Sequence, residues 1–247
     1  MSYETLELKV ENRVARVTLN RPAALNAINL EMMMELRALA EEMDTREDVS
    51  VVVMQGAGRA FCAGMDLKWS ESLTKKDRVE SNRIGQKTFN RLAAMEIPLI
   101  AAVHGYVLGG ALELALAADF IVAREDAQLG LTEITLSAMP PYRPKITEDG
   151  DPDQPEFGGS TPGWGGVTRL PERVGVAKAK QMLFTGIRLP AAQALEFGLV
   201  NAVWSTADFD KELTELATRI GAMNRYNLRL VKELVNKRYD LLEGHPS

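Results

Sequence analysis

Short apolar runs alternate with amphipathic stretches over most of this chain, and that rhythm limits the fold more than any other feature. Apolar and polar residues alternate over 6–10 and 14–19 about Glu11-Asn12-Arg13, which predicts a β-hairpin with permissive turn residues. Asn29 is placed as an N-cap, and Leu30, Met33, Met34 and Leu36 follow at helical spacing. A buried strand is predicted over 49–54, a long amphipathic helix over 75–95 that ends before Pro98, and a further strand over 99–103. Gly109-Gly110 opens another helix, and 120–123 returns to strand. Strands and helices joined by short connections predict an α/β fold whose core repeats strand-strand-helix turns.

Beyond Thr161 the pattern is mainly helical, over 176–184, 190–197, 209–223 and 227–242, with one β-like return at 200–204. The 247 residues, 46% hydrophobic and 26% charged, suffice for one large core, so a single domain is expected: a core over 1–200 and a mainly helical region over 201–247. Residues 140–161, PPYRPKITEDGDPDQPEFGGST, break the rhythm: five prolines, five acidic residues and no apolar period predict a loop inserted into that core.

Several function classes are disfavoured. The formal charge is −5 and no long basic run is present, which argues against nucleic acid as a partner. A single cysteine, Cys62, and two distant histidines, His104 and His245, give neither a disulfide framework nor a metal-ligand spacing, and a reducing, cytoplasmic setting fits. The first residues lack a signal-peptide pattern. The longest apolar stretch, 107–123, is interrupted by Glu113 and Asp119, so it reads as buried helix and strand and not as a membrane span.

Two glutamates carry the chemistry. Glu113 lies in HGYVLGGALELALAAD (104–119) and Glu133 in AQLGLTEITL (127–136), each beside glycine-bearing backbone able to approach a ligand. Paired carboxylates near free backbone N–H groups suit acid–base chemistry on a carbonyl compound: one removes a proton, one supplies it, and the amides hold the oxyanion. The neighbours of Glu113, from Ala111 to Ala118, leave almost no polar face, so a solvated surface role is hard to place. By periodicity alone Glu133 is an acidic residue near a turn. Cys62, between Phe61 and Ala63, reads as a small core residue, and His104 as a turn or core residue. Trp164 fits equally a pocket wall and plain packing.

The chain resembles the enoyl-CoA hydratase/isomerase (crotonase) superfamily over nearly its whole length. The resemblance rests on RPAALNAI (21–28), GAGRAFCAGMDL (56–67), HGYVLGGALELALAAD, LGLTEITL, TPGWGGVTRLPERVG (161–175) and TGIRLPAAQALEFGLVNAV (185–203), which follow in the family's order. It implies a spiral of strand-strand-helix turns with a helical C-terminal region. It implies Glu113 and Glu133 as catalytic acids and the amides of Ala63 and Gly110 as an oxyanion hole. It also implies contacts to the CoA thioester from Ala24, Leu25 and Ala27, from Ala63, Gly64, Met65, Asp66 and Leu67, and from Gly109 and Trp164.

The activity so implied is reversible addition of water across the double bond of a trans-2-enoyl-CoA. Coenzyme A is then part of the substrate, with no separate cofactor or metal, and the expected assembly is a homotrimer or hexamer. The alternatives are enoyl-CoA isomerisation, a specialised hydrolase or decarboxylase of the same superfamily, and a non-catalytic acyl-CoA-binding subunit. Three departures stand out. Ala23 replaces a residue that is basic in many relatives, so affinity for the CoA tail is expected to be reduced or supplied elsewhere. The 140–161 insertion is expected to act as a lid or altered pocket wall. The chain ends EGHPS after Leu242, short of the further helices expected of the family.

Overall fold

A computed structural model describes residues 3–138 and 161–242. The inserted segment, except Thr161, lies outside the described residues. The chain opens with β1 (Leu6–Glu11) and β2 (Val14–Leu19), the expected hairpin, with Asn12 and Arg13 taking the positive φ of its tight turn. Asn29 caps α1 (Leu30–Thr45) by accepting from the Met32 N–H at 3.0 Å. β3 (Val51–Gly56) leads through a single bridge residue, Cys62, to α2 (Leu67–Ser72) and α3 (Lys75–Ala93). Then come β4 (Leu99–Val103), β5 (Tyr106–Leu108) and α4 (Gly110–Leu116), followed by β6 (Phe120–Arg124), β7 (Gln128–Gly130) and a 3-10 helix at Glu133–Ala138. The remainder is α5 (Gly166–Val174), α6 (Val176–Thr185), β8 (Leu189–Pro190), α7 (Ala191–Phe197), β9 (Ala202–Trp204), α8 (Phe209–Gly221) and α9 (Arg225–Leu242).

The strands divide between two sheets, and this division is the repeated turn made visible. One sheet has the order β1-β2-β3-β4-β6-β9, parallel from β2 onward; the other has β5-β7-β8. Each of β4 and β6 lies in the large sheet, and its successor, β5 or β7, lies in the small one. After β3 the successor shrinks to Cys62, bridged to Val107 of β5.

Both faces of the central strands β3, β4 and β6 are covered, so these are apolar at nearly every position, whereas β1 at the edge alternates. Val52, Met54, Ala101, Val103 and Ile121 point into the core shared with α1, α3 and α4. Val51, Val53, Ile100, Ala102 and Val122 point the other way, toward Phe209, Leu213 and Ala217 of α8. Successive side chains of a strand face opposite sides, so neighbouring residues serve different cores. Burying Phe209 and Leu213 contributes about 1.5–3 kcal/mol each and holds α8 against the sheet.

Candidate active site

The site forms where the ends of these turns meet. The RPAALNAI loop is stitched to the FCAGMDL loop by polar contacts. Arg21 pairs with Asp66 at 3.0 Å and also donates to Ala27 O. The buried Asn26 amide donates to Ala57 O, Ala60 O and Phe61 O at 2.8–3.2 Å, and its Oδ1 accepts from Arg21 N. Leu25 and Asn26 take φ of 52° and 56°, which aims Leu25 O at the second loop. The carboxylate of Asp66 also caps α2 through Trp69 N–H at 3.3 Å.

A cavity of about 1030 Å³ lies over this junction, and every residue that the resemblance nominated borders it. Ala24, Leu25 and Ala27 line it from the first loop; Ala63, Gly64, Met65, Asp66 and Leu67 line it from the second. Gly109, Gly110, Glu113, Glu133 and Trp164 close it below. Trp164 both walls the cavity and packs: it is 1% exposed and meets Phe89 edge-on, ring centroids 5.4 Å apart.

One nominated amide is already committed. The Ala63 N–H donates to Leu25 O at 3.0 Å, so Ala63 has no donor left for an oxyanion. Two residues on, Met65 is different: its neighbours Gly64 O and Asp66 N both bond Ile28, whereas the Met65 N–H has no partner among the described residues. The Gly110 N–H, first in α4, is free in the same sense. A Cβ built on Gly64 would lie 3.5 Å from Gly110 N, so the two loops bring the free amides of Met65 and Gly110 together. A side chain at Gly110 itself would meet the Trp164 ring at 2.4 Å, which is why that position carries none.

The two carboxyl groups are buried and differently supplied. Glu113, 2% exposed, accepts through Oε1 from Trp164 N at 2.8 Å and Gly166 N at 2.7 Å. Burial raises its pKa, while those two N–H groups and the Arg169 guanidinium favour the charged form. Arg169 also donates to Trp164 O at 3.0 Å, fixing the turn that carries these amides. Glu133 stands on the far side of Gly109, whose Cβ would lie 3.4 Å from Oε1. Its Oε2 is buried without a hydrogen-bond partner. Burial, and then the nearby charge of Glu113, push its pKa up to about 7 against the pull of its own N–H.

The bland readings of two other residues hold. Cys62 is fully buried, its thiol pushed up to about 12 by burial, and its Sγ accepts from Gly64 N at 3.3 Å. His104 is 6% exposed, bonds Gly58 O through Nε2 at 3.0 Å, and is held below the usual imidazole range by burial. Sequence reasoning did not single out the cations that border the cavity: Arg21, Arg59 and Lys68 are scattered through the first two motifs and their flank, and Arg78 ends a mixed-sign run, Lys75 to Arg78, that reads as a solvated helix start. Among the described residues, no group of three or more His, Cys, Asp or Glu is placed to hold a metal ion, and no helix is long and apolar enough to cross a membrane.

Comparison with known proteins places this geometry. The profile of the enoyl-CoA hydratase/isomerase family matches residues 9–146 and 154–245. A probable enoyl-CoA hydratase of Mycobacterium leprae is 37% identical over 246 residues, 99% of this chain and 86% of that protein. A crotonyl-CoA hydratase of Syntrophomonas wolfei is 34% identical over 239 residues, 96% of this chain and 83% of that protein. The crystal structure of an enoyl-CoA hydratase from Bacillus anthracis superposes with a TM-score of 0.83 at 31% identity, covering 94% of this chain and 83% of that one. With sequence, fold and profile in agreement along nearly all its length, the chain belongs to the enoyl-CoA hydratase/isomerase family.

Proposed function

We infer that this protein is an enoyl-CoA hydratase, adding water reversibly across the double bond of a trans-2-enoyl-CoA thioester. The observation that carries the reading is the pair of carboxyl groups on one cavity, Glu113 held by two backbone N–H groups and Glu133 with a buried oxygen left unpartnered.

The thioester oxygen is received by the N–H groups of Met65 and Gly110, in place of Ala63 and Gly110. These donors gain strength as the carbonyl becomes an enolate, which lowers the barrier where charge develops. Glu113, the carboxylate with hydrogen-bonded support, orients a water and takes its proton as the hydroxyl oxygen bonds to the β-carbon. Glu133, with its pKa near 7, holds the proton that passes to the α-carbon as the enolate collapses. One water is consumed, and a proton then returns from Glu113 to Glu133 through solvent or product. Dehydration runs the same steps in reverse. The steps need no cofactor or metal besides the CoA of the substrate. Arg59 and Lys68 border the cavity beside the first two loops and supply the positive charge for the CoA phosphates that Ala23 does not.

The names of the relatives support the assignment, as does the presence of both Glu113 and Glu133 on the cavity. A reducing cytoplasm suits the single buried thiol. Crotonyl-CoA hydration, followed by loss of the conjugated thioester absorbance, tests the assignment. Glu113→Gln and Glu133→Gln each lower turnover about 10²- to 10⁴-fold in folded protein. Wild-type turnover in Glu133→Gln would remove that residue from the mechanism, and saturable binding without turnover in wild type would favour a non-catalytic acyl-CoA-binding role.

A further inference from the structure

The cavity is bordered by two kinds of element. Ala24 and Arg59 reach it from loops and Lys68 from the first turn of α2. Arg78, Ser81 and Asn82 border it from one face of α3. With Gly85 these positions recur at spacings of three, four and seven, which places them on a single side of the helix. Gly85 shows where that side lands: a Cβ there would lie 2.5 Å from Trp164 Nε1, so the α3 backbone rests on the indole. Asn82 is next outward. Its Oδ1 lies 3.5 Å from the position of a Cβ on Gly163, and Gly163 is one of the backbone donors that favour the Glu113 carboxylate. Arg78 follows about 6 Å further along the helix axis.

This stripe has unused polar capacity beside the reacting centre. Among the described residues, neither the Arg78 guanidinium nor the Asn82 amide makes an ion pair or hydrogen bond, whereas Arg83 and Asp77 on the same helix are engaged by Glu80 and Thr74. Arg78 and Asn82 are exposed, and a plain alkyl chain laid over them would displace part of their water without returning a hydrogen bond. A carboxylate returns both a charge and hydrogen-bond acceptors. Glu113, Glu133 and Asp66 already border the cavity, so a further anion is tolerated only opposite a cation, and on this face that cation is Arg78.

We propose that α3 reads the far end of the acyl group, and that the preferred substrates are trans-2-enoyl thioesters whose acyl chain carries a second, free carboxylate, paired with Arg78 and hydrogen-bonded by Asn82. The inference rests on the hydratase reading above and adds the substrate class to it.

The test compares kcat/KM for hydration of crotonyl-CoA with that for the CoA monothioesters of the five- and six-carbon trans-2-enedioic acids. It uses full-length wild type, Arg78→Met, Arg78→Lys and Asn82→Leu, with thermal melting as a check on folding. Wild type is expected to favour at least one diacid thioester about 10- to 100-fold, the range of a charge-assisted contact. Arg78→Met should lower that ratio at least tenfold, Arg78→Lys should restore part of it, and Asn82→Leu should lower it less. A wild-type ratio near one overturns the proposal. So does an unchanged ratio in Arg78→Met, because loss on both substrates alike would put the guanidinium on the CoA phosphates common to them. Turnover of crotonyl-CoA without diacid preference overturns this inference alone, whereas turnover of none of the thioesters overturns it together with the hydratase reading.

Discussion

Glu113 and Glu133 are the same residue type on the same cavity, yet their surroundings treat them differently. Two backbone N–H groups compensate Glu113 for lost water, and Glu133 Oε2 has no such partner. The difference has a thermodynamic signature. Glu133 has a pKa of about 7 in the folded protein against an ordinary 4.5, so between those values the folded state binds the extra proton. Its contribution to stability is therefore full below pH 4.5, is lost as pH rises to about 7, and changes no further above that. Glu133→Gln removes the titration. The variant should be more stable than wild type at pH 8 by roughly 3 kcal/mol, with the advantage vanishing near pH 4.5, as read from urea midpoints across that range. A constant difference at every pH would show that Glu133 does not titrate there. At this scale the residue pattern made Glu113 legible, since a carboxylate among Ala111, Leu112, Leu114 and Ala115 needs a partner or a task, whereas Glu133 stood out only through the family resemblance. The free backbone N–H groups of the cavity were legible only to within two residues. Ala63 and Met65 flank the same glycine, and what separates them is a hydrogen bond from Ala63 N to Leu25 O, which depends on a loop 38 positions earlier in the chain taking positive φ.

No single element contains the site; each brings one part of it to a common edge. α4 carries Glu113 and the free Gly110 N–H, the 3-10 helix after β7 carries Glu133, and the turn into α5 delivers Trp164 and Gly166 to Glu113. That turn leaves little room. A Cβ on Gly166 would lie 3.0 Å from both Cγ and Oε1 of Glu113, so Gly166→Ala must push the carboxylate aside. Displacements of this order cost catalysis far more than they cost folding. Gly166→Ala should lower kcat for crotonyl-CoA at least tenfold while shifting the melting temperature by only a few degrees, and wild-type kcat in that variant would detach α5 from the mechanism. The long elements were readable because their periodicity extends over several turns: the hairpin, α1 with its Asn29 cap, α3 and α8 all lie where pattern predicts. The small sheet was not. β5 and β7 have three residues each and β8 has two, too few to display alternation, and they exist because the large sheet places their ends in register. α5 escaped notice as well, since Pro171 and the Gly165-Gly166 entry both argue locally against a helix. Packing of Leu170 and Val174 into the core overrides them.

At the scale of the whole molecule the C-terminal helix α9 is attached by polar contacts and turns apolar residues outward, the reverse of an ordinary surface helix. Arg225 donates to Val49 O at 2.9 Å and Asp44 O at 3.1 Å, and Lys232 pairs with Asp119 at 2.8 Å while donating to Ile97 O. Asp119 in turn accepts from Leu99 N, so the helix is tied to the start of β4. Tyr226, Leu230, Val231, Leu234 and Val235 all remain exposed, Val231 by 60% and Leu234 by 58%. Spaced by three, four and five residues, they form a continuous apolar strip over at least two turns. Strips of this kind on soluble proteins mark contacts with another protein surface. The homotrimer or hexamer implied by the family resemblance would supply that surface from a second copy. Wild type should then scatter light as three or six times the 27.2 kDa of one chain. The double substitution Val231→Glu and Leu234→Glu should move it to the mass of one chain, because two carboxylates placed in an apolar interface lose their water without compensation. The anchors on the opposite side of α9 remain intact in that variant, so circular dichroism and crotonyl-CoA binding should report a folded protomer. A wild-type chain that runs as a monomer, or a doubly substituted chain that keeps its wild-type mass, would show that α9 turns this strip to something other than a second copy.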